Sequence, residues 1–127
     1  MIKVFWKNKK VVVTGGNGFI GKNLVPILRE LGSDVFVPDI KDFDLTTEEG
    51  MNKLFSSFKP EVIIHLAADV GGIAYMNSNP AKIYYNNIMM NTLLFEKSVL
   101  NNVKRLICMN TVNSYSRDAA VPLQESR

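Results

Sequence analysis

The sequence is poor in the residues that build disulfides and metal sites. Its 127 residues contain one cysteine, Cys108, and one histidine, His65. A single cysteine excludes a disulfide within the chain and suits a reducing compartment, so a cytoplasmic location is expected. Because neither residue has a cysteine or histidine neighbour, no metal site is predicted.

Long apolar runs and clustered basic residues are also missing. No stretch reaches the roughly 18 apolar residues of a membrane span. Residues 1–10 lack the apolar run and the small-residue cleavage site of a signal peptide. The net charge is only +3, and no basic block is interleaved with aromatic residues. Neither a membrane nor a nucleic acid is therefore expected as a partner, and the length fits one domain.

What the sequence does contain is a glycine-rich turn between an apolar strand and a helical pattern. Residues 11–21 read Val-Val-Val-Thr-Gly-Gly-Asn-Gly-Phe-Ile-Gly. Gly15 ends the strand at a tight turn, where a positive φ is expected. Gly18 leaves room for a phosphate, and Gly21 lets the helix pack closely against the strands. A turn without a ligand is the alternative, but the strand before it and the helix after it favour a dinucleotide site.

An acidic residue follows the second predicted strand, residues 34–38. In dinucleotide-binding folds an acid about 20 residues beyond the glycines accepts hydrogen bonds from the adenosine ribose. Asp39 stands near this place, and its charge favours NAD because it repels the 2′-phosphate of NADP. Lys41 offers a phosphate the opposite charge, and Asp39 is alternatively a solvated loop residue. The choice between NAD and NADP therefore stays open.

Strands and helices alternate along the chain after a basic lead-in, residues 1–9. The strands are predicted at residues 11–14, 34–38, 61–66 and 104–110, with three helices between them. This alternation predicts an α/β, Rossmann-like parallel sheet of about four strands with helices on both faces.

Several polar residues carry their own expectations. Thr46 and Glu49 are predicted to form a capping box, and Asn79 to cap the last helix. His65 lies in an apolar strand and is predicted to be packed there. Asn87 falls on the buried stripe of the last helix, so it needs a backbone, water or cofactor partner.

These motifs, in this order, resemble the extended short-chain dehydrogenase/reductases, the NAD-dependent epimerase/dehydratase family. The matching stretches are residues 14–21, Asp44-Leu45, His65-Leu-Ala-Ala68, Asn87 and Thr111-x-x-x-Tyr115. Within the family, residues 67–73 followed by Asn77 are most similar to the GDP-L-fucose synthases. Those enzymes epimerise and reduce GDP-4-keto-6-deoxymannose with NADPH.

The resemblance implies a role for each matching position. By this resemblance the diphosphate lies against Gly15, Asn17, Gly18, Phe19 and Ile20, and the adenosine ribose lies by Asp39 and Lys41. Asp44 and Leu45 flank the adenine. Leu66, Ala67 and Ala68 pack on the cofactor, and Asn87 supports the site. Thr111 takes the catalytic place of the hydroxyl residue that hydrogen-bonds the keto oxygen of the substrate.

The sequence departs from the family pattern at three points. No tyrosine has a lysine four residues later, so the catalytic Tyr-x-x-x-Lys pair is absent. Asn113 stands where fucose synthases usually have a cysteine, and Asp39 where they often have an arginine. The first departure is explained if the chain is the N-terminal portion of a longer enzyme, without the substrate domain.

The expected function is therefore NAD(P) binding, with a nucleotide-sugar substrate used only by the longer enzyme and no turnover by this chain alone. One alternative is a nucleotide-sugar epimerase or dehydratase that retains NAD, and another is a non-catalytic dinucleotide-binding module. An incomplete sheet leaves a strand edge and apolar helix faces uncovered, so self-association as a homodimer is also expected.

Overall fold

The computed structural model describes residues 2–110, 115, 116, 118 and 121. In chain order the elements are α1 (Ile2–Trp6), β1 (Lys10–Thr14), α2 (Phe19–Glu30), β2 (Asp34–Phe36), α3 (Glu48–Ser57), β3 (Val62–His65), α4 (Ile73–Ser78), α5 (Pro80–Leu100) and β4 (Arg105–Cys108). Among these residues the four expected strands are confirmed, whereas α1 and α4 bring the helices to five. None of the described helices has the length and apolar character needed to cross a membrane.

The strands form one parallel sheet in the order β2-β1-β3-β4. Val12 pairs with Phe36 on one side and with Ile63 on the other. This arrangement confirms the predicted Rossmann-like α/β fold. Because β1 lies between β2 and β3, the order of the strands reverses at β1. In open parallel sheets such a reversal leaves a crevice at the carboxyl ends of the strands.

Helices cover both faces of the sheet, which explains why Val11, Val12 and Val13 are all fully buried. Val12 packs with α3 and α5 on one face. Val11 and Val13 pack with α2 on the other, where Leu28 is 2% exposed. Full burial of each such side chain contributes about 1.5–3 kcal/mol. Burial of this apolar strand between two helical layers therefore stabilises the fold.

Residues 1–9 are not the lead-in that the sequence suggested, because most of them form α1. The side chain of Trp6 packs against the core on the α2 face, and its carbonyl oxygen accepts a hydrogen bond from the Ser33 hydroxyl at 2.8 Å. The Phe5 ring lies 5.4 Å from the guanidinium carbon of Arg105. A helix of five residues is too short to show a periodic pattern.

The predicted helix starts are only partly right. The N-cap of α3 is Thr47 rather than Thr46, and its hydroxyl accepts a hydrogen bond from the Gly50 amide at 3.1 Å. Thr46 lies one residue before the N-cap position, where its amide and hydroxyl both donate to the Asp44 carboxylate, at 2.9 and 2.6 Å. Asn79 does occupy the N-cap position of α5, but its side chain donates backwards to the Tyr75 carbonyl oxygen at 3.0 Å instead of capping the helix.

The Glu61 carboxylate links the amino ends of β1, β3 and β4, at the end of the strands opposite the crevice. Its carboxylate accepts hydrogen bonds from the ammonium groups of Lys9 at 2.9 Å and Lys104 at 3.1 Å, and from the Lys10 amide at 3.3 Å. These donors, Lys9 first, lower the pKa of Glu61 to about 2.

Candidate functional site

A cleft of about 540 Å³ lies at the carboxyl ends of β1, β2 and β3. Segments from three loops and from α4 and α5 surround it. The lining residues are Gly15, Gly16, Asn17, Pro38, Asp39, Ile40, Phe43, Asp44, Leu45, Thr46, Ala67, Ala68, Asp69, Val70, Tyr75, Lys82, Asn86 and Met90. The cleft therefore occupies the crevice that the strand order creates.

The glycine-rich turn forms the part of the cleft between β1 and β3. Gly15 has a φ of 66°, which confirms the predicted positive value. A Cβ atom on Gly15 would lie 2.7 Å from the Ala67 amide nitrogen, so the turn touches the segment that follows β3. A Cβ atom on Gly21 would collide with the backbone of Gly16. The close approach that Gly21 permits is therefore with the turn, whereas the sequence predicted it with the strands.

The first turn of α2 has no side-chain cap. The N-cap is Gly18, whose own amide donates to the Gly15 carbonyl oxygen at 2.9 Å. The first amide groups of a helix have no partner within it, and they carry the positive end of the helix dipole. This end of α2 is therefore suited to an anion such as a diphosphate.

Only some of the predicted cofactor residues line the cleft. The lining includes Gly15, Asn17, Asp39, Asp44, Leu45, Ala67 and Ala68, but not Gly18, Phe19, Ile20, Lys41, Leu66 or Asn87. Leu66 instead packs against the core on the α2 face. Thr111 lies outside the described residues. The contacts of all these residues with a cofactor remain predictions.

The loop after β2 holds two carboxylates in defined orientations. Asp39 Oδ1 accepts a hydrogen bond from the Lys41 amide at 2.9 Å, so Lys41 contributes its backbone here. Asp44 Oδ1 accepts from both the amide and the hydroxyl of Thr46, at 2.9 and 2.6 Å. Phe43 packs edge-on against Phe36, with the ring centres 5.5 Å apart. Local turns and one aromatic contact therefore shape this wall.

Asn87, on α5, does not line the cleft but hydrogen-bonds the backbone of Asp69, which does. Its Oδ1 accepts from the Asp69 amide at 2.8 Å, and its Nδ2 donates to the Asp69 carbonyl oxygen at 3.0 Å. Among the three partners that the sequence left open, the backbone is the one that the structure shows. Asn87 thus fixes the main chain that follows Ala67 and Ala68.

His65 connects β1, β3 and α5 beneath the cleft. It is 5% exposed, which confirms the prediction of a packed strand residue. The Thr14 hydroxyl donates to Nδ1 at 2.6 Å and accepts from the Ala67 amide at 3.3 Å, while Nε2 donates to Asn91 Oδ1 at 2.9 Å. Burial lowers the pKa of His65, so the ring is neutral at pH 7. No cluster of three or more potential metal ligands occurs in the described part of the chain.

Sequence reasoning missed several residues of the cleft. Asp69, Tyr75, Lys82 and Asn86 bring polar side chains from a loop, from α4 and from α5. Met90, which the helical pattern assigned to the core, is 8% exposed and also reaches the cleft. No periodicity or spacing in the sequence signals the four polar residues, because they meet only after α4 and α5 fold against the loop.

The parallel sheet, its strand order and the cleft at the strand ends define a Rossmann-like α/β domain. The profile of one family, described as the NAD dependent epimerase/dehydratase family, matches residues 11–127. The chain belongs to this family.

Relatives with known names agree with this assignment. The chain is 32% identical over 117 residues to a GDP-L-fucose synthase of Sinorhizobium fredii, a match that covers 92% of the chain and 37% of that protein. It is 35% identical over 122 residues to a GDP-6-deoxy-D-talose 4-dehydrogenase of Aggregatibacter actinomycetemcomitans, which covers 92% of the chain and 40% of that protein.

A solved structure gives the same picture. The GDP-mannoheptose C4 reductase of Campylobacter jejuni, with NADP bound, superposes with a TM-score of 0.81 at 29% identity, over 94% of this chain and 36% of that one. The chain therefore spans little more than a third of the length of the relatives it matches.

Proposed function

We propose that the cleft binds NADP or NAD, and that the chain is the dinucleotide-binding N-terminal portion of a nucleotide-sugar epimerase/reductase of the GDP-L-fucose synthase type. One observation carries the proposal. The glycine-rich turn lines the cleft, where Gly15 abuts Ala67, and it leads directly into the uncapped start of α2. This is the place where the fold binds a diphosphate.

The residues around the turn fit a diphosphate. A Cβ atom on Gly18 would meet only the Gly15 carbonyl oxygen, at 3.2 Å, so the position is otherwise open. In this proposal the amides of Asn17, Phe19 and Ile20 donate to the diphosphate, although the last two residues do not line the cleft. When bound, the dinucleotide would supply hydride chemistry.

The remaining walls would hold the two ends of the cofactor. Asp39 would contact the adenosine ribose, and Asp44 with Leu45 would flank the adenine. Ala67 and Ala68 have small side chains that allow close approach of the cofactor to the backbone. Asn87 would act through its hydrogen bonds to Asp69 rather than by touching the ligand.

The proposal assigns no turnover to the chain alone. Thr111 would hydrogen-bond the keto oxygen of a nucleotide sugar, but the sequence has no Tyr-x-x-x-Lys pair to supply the proton. The second candidate, an epimerase or dehydratase that retains NAD, is favoured by one observation. Asp39 lines the cleft, and its Oδ2 accepts no hydrogen bond from the described residues, so a ribose diol can bind there.

Calorimetric titration of the purified chain with NADPH, NAD and GDP-mannose tests the proposal. We expect saturable binding of at least one dinucleotide and no stoichiometric binding of GDP-mannose, since the proposal places the substrate domain outside this chain. If neither dinucleotide binds at millimolar concentration, the proposal is wrong. A chain that binds GDP-mannose but no dinucleotide would point to a different ligand in the cleft.

Reversing the charge at Asp39 should change the choice of dinucleotide. We expect Asp39→Arg to shift the ratio of the NADPH and NAD dissociation constants towards NADPH by about tenfold, because a guanidinium group pairs with a 2′-phosphate. Titration of both variants with both cofactors measures the ratio. Asp42→Arg makes the same charge change on the exposed side of the loop and should leave the ratio unchanged. Equal ratios for both variants would show that Asp39 does not contact the ribose.

We also propose that the chain self-associates as a homodimer. β4 forms an edge of the described sheet, and α5 carries exposed Tyr84, Ile88, Phe95 and Val99 close together on one side. A second copy of the chain would cover this apolar stripe. Light scattering should give the mass of a dimer at micromolar concentration, and a monomer throughout that range would contradict the proposal.

A further inference from the structure

Helix α4 forms part of the cleft wall with very little burial of its own. It has six residues, none of which is buried, and Ile73 is 80% exposed. A helix this short is unstable without tertiary contacts. Something other than an apolar core must therefore keep α4 in place.

A carboxylate between α4 and α5 supplies the attachment. Asp69 Oδ1 accepts a hydrogen bond from the Tyr75 hydroxyl at 2.9 Å, and Asp69 Oδ2 accepts from Asn86 Nδ2 at 2.7 Å. The backbone of Asp69 is itself clamped by Asn87. Hydrogen bonds to an ionised acceptor are stronger than those between neutral groups. Both oxygens of the carboxylate are thus used to join α4 to the body of the domain.

The space for this contact depends on a glycine. A Cβ atom on Gly71 would lie 2.7 Å from Tyr75 Cδ1, so the tyrosine ring covers the backbone of Gly71. Tyr75, Asp69 and Asn86 all line the cleft. The contact therefore closes one side of the same cavity that would hold the dinucleotide.

We propose that Asp69, Tyr75 and Asn86 form a latch that positions α4 as a wall of the cleft and holds the cleft ready for its ligand. Tyr75 is a positioning residue in this proposal, since it acts through the carboxylate of Asp69. The statement about the ligand rests on the proposed function, whereas the statement about α4 does not. A cleft wall that is ordered before binding raises the affinity for the ligand, because binding then does not have to restrict the motion of α4.

Hydrogen exchange of the free, full chain tests the latch without any ligand. Tyr75→Phe removes one hydroxyl, and we expect the hydrogen-bonded amides of residues 76–79 to exchange about fivefold faster, while the exchange of the β1 and β3 amides remains unchanged. Tyr85→Phe is the matched control, because Tyr85 is 60% exposed on α5 and belongs neither to the cleft lining nor to the apolar stripe, and it should exchange like the unmodified chain. Unchanged exchange in Tyr75→Phe would overturn the latch.

A double-mutant cycle separates the latch from a general loss of structure. Asp69→Ala removes the acceptor, so adding Tyr75→Phe to it should cause no further increase in exchange. Additive effects would show that Tyr75 acts independently of Asp69 and would overturn the proposal.

Titration with NADPH then tests the effect on the ligand. We expect Tyr75→Phe to weaken binding about threefold, and Tyr85→Phe to leave it unchanged. Faster exchange with unaltered affinity would overturn the claim that the latch readies the cleft. If the unmodified chain does not bind NADPH or NAD, the proposed function fails, while the exchange experiment still decides the latch.

Discussion

Gly18→Val should abolish dinucleotide binding and leave the fold intact. Gly18 has φ −78° and ψ −175°, values that valine adopts readily. Within the protein a Cβ atom there meets only the Gly15 carbonyl oxygen, at 3.2 Å. The added methyl groups would instead fill the space at the start of α2 that the proposal gives to the diphosphate. We expect the dissociation constant to rise about a hundredfold or more, equivalent to about 2.7 kcal/mol.

Calorimetry with NADPH and NAD measures the loss, and thermal unfolding checks the fold. The unfolding free energy should fall by no more than about 1 kcal/mol, because the change lies on the surface. Asn52→Val introduces the same side chain on the exposed face of α3 and should bind as the unmodified chain does. Retained affinity in Gly18→Val would place the dinucleotide elsewhere or show that none binds.

Gly21→Ala should instead lower the free energy of unfolding. Alanine in a helix is ordinarily about 1 kcal/mol more stable than glycine. At this position, however, the Cβ atom would collide with backbone atoms of Gly16, which cannot move aside as a flexible side chain could. Overpacking of this kind costs about 1–3 kcal/mol. After the gain from helix propensity is subtracted, we expect a net loss of up to about 2 kcal/mol.

Denaturant unfolding of the two proteins gives the difference in free energy. Lys22→Ala is the control, since Lys22 is the exposed next residue of α2, and its effect should stay within about 0.5 kcal/mol. A Gly21→Ala variant as stable as the unmodified chain would show that α2 can shift away from the turn. The close packing would then not be a requirement of the fold.

Together the two variants separate what the glycines of one motif do. Loss of binding without loss of stability at Gly18, and the reverse at Gly21, would assign a ligand role to the first and a packing role to the second. The sequence makes this distinction in principle, but only the atoms around each Cβ position in the tertiary structure give it a physical basis.

Much of the fold could be predicted because its signals are local. The run Val11–Val12–Val13 identifies a strand buried on both faces, and the two core clusters show why it is apolar throughout. The predictions fail where local signals compete. Thr46 and Thr47 both offer a capping hydroxyl in the sequence, and the cap is Thr47 because α3 begins at Glu48.

The sequence predicts the residues of the candidate site that follow strands, but not the contacts that α4 and α5 bring to it. Asp39 and Ala67 lie within three residues of the ends of β2 and β3, so their presence at the cleft follows from the parallel sheet. Asp69 and Asn86 are 17 positions apart, and nothing in their spacing predicts a contact. The partner of Asn87 was undetermined for the same reason.

By itself, the sequence determined the parallel sheet, the glycine turn at its centre and the family, because apolar runs, glycines and turn residues act on their immediate neighbours. Only the tertiary structure decided which polar side chains meet around the cleft, that residues 1–9 include a helix packed on the core, and that α4 is joined to α5 through Asp69. The physical reason is that such contacts depend on how helices pack against the sheet, which is set by the whole core rather than by any one stretch of chain.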